Sequence, residues 1–250
     1  MTGRDCEVSV SDFWTTLREC IEESMCMANA EPFAIQAMSY SSQANSFVLL
    51  DEKHEPLTNL TLWTDKRCES LPTSLHVLSS RHDFTSITGI GTSLSPQMCI
   101  SKLLWFQEHQ PLLWQKVKKV VTLADYLTFV LTGQFVTDFS TASLTGLLHV
   151  QAEEWWHEAL QAANVSSSLL SFPCRTGTLI GSLSKKGAAT LALPAQTKFC
   201  LGGLDHHMAA IGAGLCQQNN ISESTGTVLA CVRYTNQYQP GMGLFTAPGL

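Results

Sequence analysis

The chain has 250 residues, 44% of them hydrophobic and 14% charged, and carries a formal net charge of −6. That is enough apolar material for one or two packed cores and too ordinary a composition for a disordered or fibrous chain. The acidic balance offers no basic stripe, so no nucleic-acid partner is expected, and any polyanion must be gripped locally, as a nucleotide's phosphates would be.

The opening segment MTGRDCEVSVSDFW lacks a basic stretch followed by an apolar run, and no apolar stretch is long enough to span a bilayer. The expectation is a cytoplasmic protein with no membrane anchor. Phe13, Trp14, Leu17, Cys20 and Ile21 recur at helical spacing behind Ser11 as a cap, and Asn29-Ala30-Glu31-Pro32 ends that helix. Phe33 to Met38 and Ser46 to Leu50 read as strands, with Glu52 to Pro56 as a polar turn toward Leu60 to Trp63; together they are expected to form the edge of a sheet. From Met98 to Gly133 the pattern is helical and broken at Pro111, with Trp105, Leu112, Leu113 and Trp114 as predicted core. A further helix is predicted over Glu153 to Ala163, and the alternation of helices with strands indicates an α/β fold. The nine cysteines form no Cys-x-x-Cys pair, which predicts reduced thiols used mostly as small core residues. The same spacing predicts no structural zinc, and no residue is assigned as a metal ligand.

The run FCLGGLDHHMAAIGAG, Phe199 to Gly214, carries the most chemistry. Phe199 to Leu201 read as the end of a buried strand, Gly202 and Gly203 as a turn needing unusual backbone angles, and His206 onward as a small-residue helix. Asp205 then stands at a helix start, where the helix dipole and free N–H groups favour a charged carboxylate. An Asp at that place, taken alone, is first an ordinary N-cap; the other reading is a general base with room for a substrate beside the glycines. Downstream, Glu223-Ser224-Thr225-Gly226-Thr227 before the apolar run Val228 to Val232 reads as a hydroxyl-rich turn entering a strand. Such a turn closes a hairpin or cradles a phosphate. The polar run Gln217-Gln218-Asn219-Asn220 between the two motifs reads as a hinge.

In this order the two motifs resemble the FGGY family of carbohydrate kinases, members of the sugar kinase, heat-shock-cognate and actin superfamily. Further segments carry the resemblance across nearly the whole chain: Gln43 to Asp51, the Trp-x-Asp-x-Arg element Trp63-Thr64-Asp65-Lys66-Arg67, Ser101-Lys102-Leu103-Leu104-Trp105, Asp125-Tyr126-Leu127 with Leu131-Thr132-Gly133, Asp138 to Ser143 with Thr145-Gly146, and Gly177 to Gly181. The fold this implies is the α/β lobe of an actin-like ATPase (ribonuclease H-like), incomplete here. Residues 1–215 would form the sugar-binding lobe without its first strands, and 216–250 the start of the nucleotide lobe.

The implied function is ATP-dependent phosphorylation of a sugar hydroxyl, with ATP and Mg2+ as cofactors and a small-molecule sugar as partner. Asp205 is the catalytic candidate, orienting the hydroxyl and taking its proton late in the attack. By the same resemblance Gln43, Ala44, Asn45, Trp63, Gln97 and Asp205 bind substrate. The indole of Trp63 would pack on a sugar's C–H face, and the amides would meet hydroxyls. His206 either touches the substrate or only decorates the helix start. Gly226 and Thr227 are the expected phosphate contacts. Lys102 is read as a solvated side chain on an amphipathic helix and is left outside the site. The glycerol-kinase branch carries an Arg-Glu pair on the loop that here reads Gln43-Ala44-Asn45; its absence favours a larger ketose or a sugar acid. The family's Asp-x-Gly-Thr phosphate turn precedes the stretch matched here, and its adenosine site follows it, so the isolated chain is expected to be inactive. A non-catalytic sugar-binding or regulatory remnant of such a kinase is the alternative. Relatives commonly pair as homodimers, and no residue pattern here decides that point.

Overall fold

The computed structural model describes residues 5–215, 221–225 and 229–248. Phe47–Leu50 forms the most deeply buried strand, and all four of its side chains are inaccessible to solvent. It lies inside a four-stranded antiparallel sheet in the order Glu7–Val8, Leu60–Thr61, Phe47–Leu50, Lys119–Thr122. Side chains of a strand alternate between faces. Here Phe47 and Leu49 enter the largest core, with Phe84, Leu103, Phe106 and Trp156, while Val48 and Leu50 enter another with Leu60, Val121 and Tyr126. A strand buried on both faces reads as a continuous apolar run, so the expected sheet edge is instead a sheet centre.

The segment expected to be helical from Met98 to Gly133 contains that sheet's fourth strand. Helix Cys99–His109 and the short helix Pro111–Trp114 give way to strand Lys119–Thr122, and helix Leu123–Thr132 follows. The β-branched run Val120-Val121-Thr122 favours extension, and the reciprocal capping box of Thr122 and Asp125 starts the next helix at once. Leu112, expected in the core, is 75% exposed because the short helix offers only one turn to bury. The first helix is Val10–Met27 and is capped by Ser9, whose hydroxyl accepts the Asp12 N–H, rather than by Ser11. Pro32–Ala34 is a 3-10 turn before the short strand Ala37–Met38, and Glu154–Trp155 pairs as a strand before helix His157–Ala162. Only Cys68 and Cys99 are buried among the described cysteines, all of which are free thiols.

A second, three-stranded sheet runs Leu179–Ser182, Lys198–Cys200, Ala37–Met38, the last two parallel. The same two chain segments pair again in parallel as Gly203–Leu204 with Ser41–Ser42. Between these pairings Phe199 to Gly203 takes four steps while Met38 to Ser41 takes three, so one extra residue is accommodated as in a bulge. Gly202 sits at that point, and a Cβ there would overlap the Tyr40 carbonyl oxygen. Neither Gly202 nor Gly203 has a positive φ. Gly202 therefore serves the close approach of two segments of the chain, Gly203 leaves room for the Ser140 hydroxyl, and the expected unusual backbone angles are absent.

Strands Ile221–Thr225 and Leu229–Arg233 form an antiparallel pair packed against helix Asp205–Gly212. Glu223, Ser224 and Thr225, expected in a turn, lie within the first of these strands. The tail then returns to the large core, where Gly91 N–H donates to the Leu244 carbonyl at 2.7 Å and Thr246 N–H to that of Gly89 at 2.8 Å.

Candidate functional site

The parallel rungs Gly203 with Ser41 and Leu204 with Ser42 end at the same level, so Asp205 and Gln43 leave the sheet side by side. Asp205 is the first residue of helix Asp205–Gly212, and Leu204 holds the N-cap position expected of the acid. Its Oδ1 accepts the His206 N–H at 2.7 Å. The carboxylate is half-buried, and Oδ2 has no hydrogen-bond partner among the described residues. His206 is half-buried beside it. Burial pushes the neighbouring His207 imidazole down from its ordinary value, against the pull of the Asp138 and Asp205 carboxylates, which favours a neutral ring between two acids.

A buried polar chain fixes where this helix starts. The Leu204 N–H donates to Ser140 Oγ at 2.9 Å, and that hydroxyl donates to Asp138 Oδ1 at 2.5 Å. Asp138 also accepts the Thr141 N–H at 2.8 Å and, on Oδ2, the Tyr40 hydroxyl at 2.9 Å. Burial first, then the carboxylates of Asp138 and Asp125, push the Tyr40 phenol far up, so it stays a donor. Tyr40 precedes the Ser41–Ser42 strand. A single carboxylate thus ties the segment leading to Gln43 and the one leading to Asp205.

The sugar-site candidates on other segments join the same loop. Asn45, at φ 61°, accepts the Cys99 N–H on its side-chain oxygen at 2.9 Å. It therefore satisfies a free donor of helix Cys99–His109 and brings Gln97, two residues earlier, alongside. Ser46 Oγ accepts the Trp63 N–H at 2.8 Å. Trp63 and Gln43 are half-buried, and neither the indole N–H nor the Gln43 carboxamide has a partner among the described residues. Ala44 is buried, and Gln97 is exposed on the rim of an open depression of about 560 Å³ lined also by Lys66, Cys68, Glu69, Ser95 and Pro96. Gly226, Thr227 and the predicted hinge at 217–220 lie outside the described residues.

Asp65 and Arg67 of the Trp-x-Asp-x-Arg element are scaffolding. Asp65 and Arg67 pair in the interior through Nε to Oδ1 at 2.8 Å and Nη2 to Oδ2 at 2.9 Å, and Cys6 N–H adds a bond to Oδ2 at 2.7 Å. Burial alone would raise the Asp65 carboxyl, but the Arg67 and Cys6 hydrogen bonds hold it below its ordinary value. The guanidinium also lies 5.1 Å and 4.9 Å from the ring centres of Trp105 and Phe106. Lys102 overturns its solvated reading: it is fully buried, and Nζ donates to the Leu62 carbonyl at 2.6 Å and reaches the Trp63 carbonyl at 3.5 Å. Its position was readable, because Cys99, Lys102, Leu103 and Phe106 recur at i, i+3, i+4 and i+7 on one buried helix face.

The arrangement offers one half-buried carboxylate with an oxygen, an amide and an indole N–H that have no partner among the described residues, on three tethered segments. That is the equipment to bind and orient a polyhydroxylated molecule.

The sequence matches the profile of the FGGY family of carbohydrate kinases, N-terminal domain, over residues 4–212. It is 30% identical over 220 residues to the xylulose kinase of Bacillus subtilis (strain 168), covering 88% of this chain and 43% of that protein. It is 29% identical over 224 residues to an autoinducer-2 kinase of Salmonella choleraesuis, at 88% and 42% coverage. The crystal structure of ligand-bound xylulose kinase from Lactobacillus acidophilus superposes with a TM-score of 0.72 at 25% identity, covering 83% of this chain and 41% of that one. The chain thus spans less than half the length of the relatives it matches, and its mixed α/β architecture is part of their actin-like ATPase fold. By sequence and by fold, the chain belongs to the FGGY family of carbohydrate kinases.

Proposed function

We propose that the chain supplies the sugar-binding lobe of an ATP-dependent carbohydrate kinase, with Asp205 as the general base. In this reading residues 1–215 are that lobe and 216–250 open the nucleotide lobe. Gln43, Asn45, Trp63, Gln97 and His206 surround a ketose or sugar acid, with Ala44 as the apolar floor. The Asp205 carboxylate orients the acceptor hydroxyl and takes its proton as that oxygen attacks the γ-phosphorus of ATP, ADP leaving on the opposite side. The observation that carries the reading is the pair of parallel rungs at Gly203–Leu204 and Ser41–Ser42, which delivers the half-buried acid beside the segment tied to Trp63 and Gln97.

Gly226 and Thr227 remain the proposed phosphate contacts, and Mg2+ is what the family implies. Among the described residues no three His, Cys, Asp or Glu side chains converge to hold an ion. No helix among the described residues is long and apolar enough to cross a membrane, and the requirement for ATP fits the cytoplasm.

The test is calorimetry of the 250-residue chain with D-xylulose and D-gluconate, with and without ATP, followed by turnover in a chain extended to the length of its relatives. There Asp205→Asn should lower sugar-dependent ADP release by about 10²–10⁴-fold while sugar affinity is kept. Undiminished turnover by that variant refutes the assignment of the base. Sugar binding by the extended wild-type chain with no ADP release favours a non-catalytic sugar-binding protein.

A further inference from the structure

A lysine ammonium is almost never fully buried unless paired, because taking its charge out of water is expensive. Lys102 is fully buried, yet the nearest carboxylate pair is already satisfied: Asp65 is held on both oxygens by Arg67 and by the Cys6 N–H. Its direct partners are instead two main-chain carbonyls, those of Leu62 and Trp63. The turn they belong to does not need a lysine to close. The Asp65 N–H already donates to the Leu62 carbonyl at 3.0 Å, the Leu62 N–H to the Cys6 carbonyl at 2.9 Å, and the Trp63 N–H to Ser46 Oγ at 2.8 Å. What the lysine adds is a link between this turn and helix Cys99–His109, whose first turn is held by Asn45. The titratable groups that face Nζ are Asp65 and Arg67 on the turn, Cys99 on its own helix and Cys6 on the N-terminal segment; of these the charged ones are Asp65 and Arg67, which are paired with each other, while burial keeps the Cys99 thiol protonated.

We propose that Lys102 is a positioning residue for the sugar site: its ammonium grips the Leu62 and Trp63 carbonyls from behind and locks the Trp63 indole in register with Asn45 and Gln97. The proposal rests on the reading of Trp63 as a sugar-facing side chain. It assigns the buried charge to alignment of the site, while a stabilising role would predict the opposite response to its removal. Lys102→Met keeps the length and apolar stem, removes the charge, and leaves no carbonyl of Leu62 orphaned, since the Asp65 N–H stays.

The experiment compares the 250-residue chain with its Lys102→Met variant by three measurements. These are melting temperature at pH 7, hydrogen exchange of the 62–67 amides, and calorimetric affinity for D-xylulose and D-gluconate. The expected result is an unchanged or higher melting temperature, at least about tenfold faster exchange confined to 62–67, and about tenfold weaker affinity for whichever sugar the wild type binds. Unchanged exchange in the turn overturns the proposal whether or not a sugar binds. A variant that melts lower or does not fold overturns it as well, because Lys102 would then be a stabilising group. Faster exchange in a protein whose wild type binds neither sugar refutes the sugar-facing reading of Trp63, and the proposal with it.

Discussion

The junction of Ser140 and Gly203 makes a non-additive prediction. Ser140 Oγ is a buried atom with two obligations, donating to Asp138 and accepting from the Leu204 N–H. Ser140→Ala removes a charge-assisted bond and orphans a buried N–H, for a combined loss of about 3–5 kcal/mol. In a chain of this size that lowers the melting temperature by roughly 10 °C. A Cβ on Gly203 would stand 2.8 Å from the same oxygen and 2.9 Å from the flexible end of Met208. Gly203→Ala in the wild type should therefore cost about 1–3 kcal/mol through overpacking. Once the hydroxyl is gone, the methyl has its space, and a strand Ala is intrinsically better than Gly by about 0.5–1 kcal/mol. The double variant should be no less stable than Ser140→Ala alone. Urea unfolding of the four proteins, read by midpoint and slope, closes the cycle. Additivity within about 0.5 kcal/mol would refute the argument that the hydroxyl fills the space over Gly203 and pins the start of the Asp205 helix.

Burial lowers the Lys102 pKa from 10.5 to about 8, although Cys99 and Asp65 act to raise it. The unfolded chain then binds the extra proton between those values, so this lysine makes stability rise with pH from about 8 to 10.5. By linkage the rise is worth about 3 kcal/mol. The difference in unfolding free energy between wild type and Lys102→Met, followed by urea titration over that window, should show it; a pH-independent difference would contradict the burial. Burial, reinforced by Asp138, raises the Asp125 carboxyl from 3.8 to about 6. A raised acid lends stability that is present below the unfolded value and lost as pH climbs through 6. Asp125→Asn, which can still accept the Thr122 N–H, should therefore gain about 3 kcal/mol at pH 7 and little at pH 3.5. Gly202→Ala should cost more than Gly203→Ala, about 3 kcal/mol or above, because the obstacle is the Tyr40 backbone rather than a side-chain tip; equal melting temperatures for the two variants would contradict the close approach.

Local patterns in the sequence located the strands and helices better than their neighbours did. The apolar run Phe47 to Leu50 announced a strand, but whether it lies at an edge depends on which distant segment covers its second side. That segment, Lys119–Thr122, was hidden between two helices by two lysines and a run of only four residues. Leu112 failed for a related reason: an apolar residue after Pro111 looks like core until the helix proves one turn long. The expectation of unusual backbone angles at the double glycine does not hold: Gly202 is needed for contact with Tyr40, 162 positions away in sequence, which no local angle preference can reveal.

The site shows the same division between residues and the contacts that aim them. Asp205, Gln43 and Trp63 stand out in the sequence because their types would suit a sugar and because the segments carrying them resemble a family; their sugar-binding roles are proposed. The groups that hold them, Tyr40, Ser46, Lys102, Asp138 and Ser140, have side chains that could serve on any surface. Their meaning comes from long-range hydrogen bonds across 98 residues for Tyr40 to Asp138 and 64 for Leu204 to Ser140. Lys102 is the instructive exception. The helical period puts it on the apolar face, whereas the general habit of lysines puts it in solvent, and the structure follows the period. A charged residue on the buried stripe of a helix is the rarer event, and burial has to be offset by something specific. Periodicity should therefore outrank residue type in such a conflict, and the charge should be assigned to a nearby main-chain or ionic partner before it is assigned to water. Here that partner is the turn that carries Trp63.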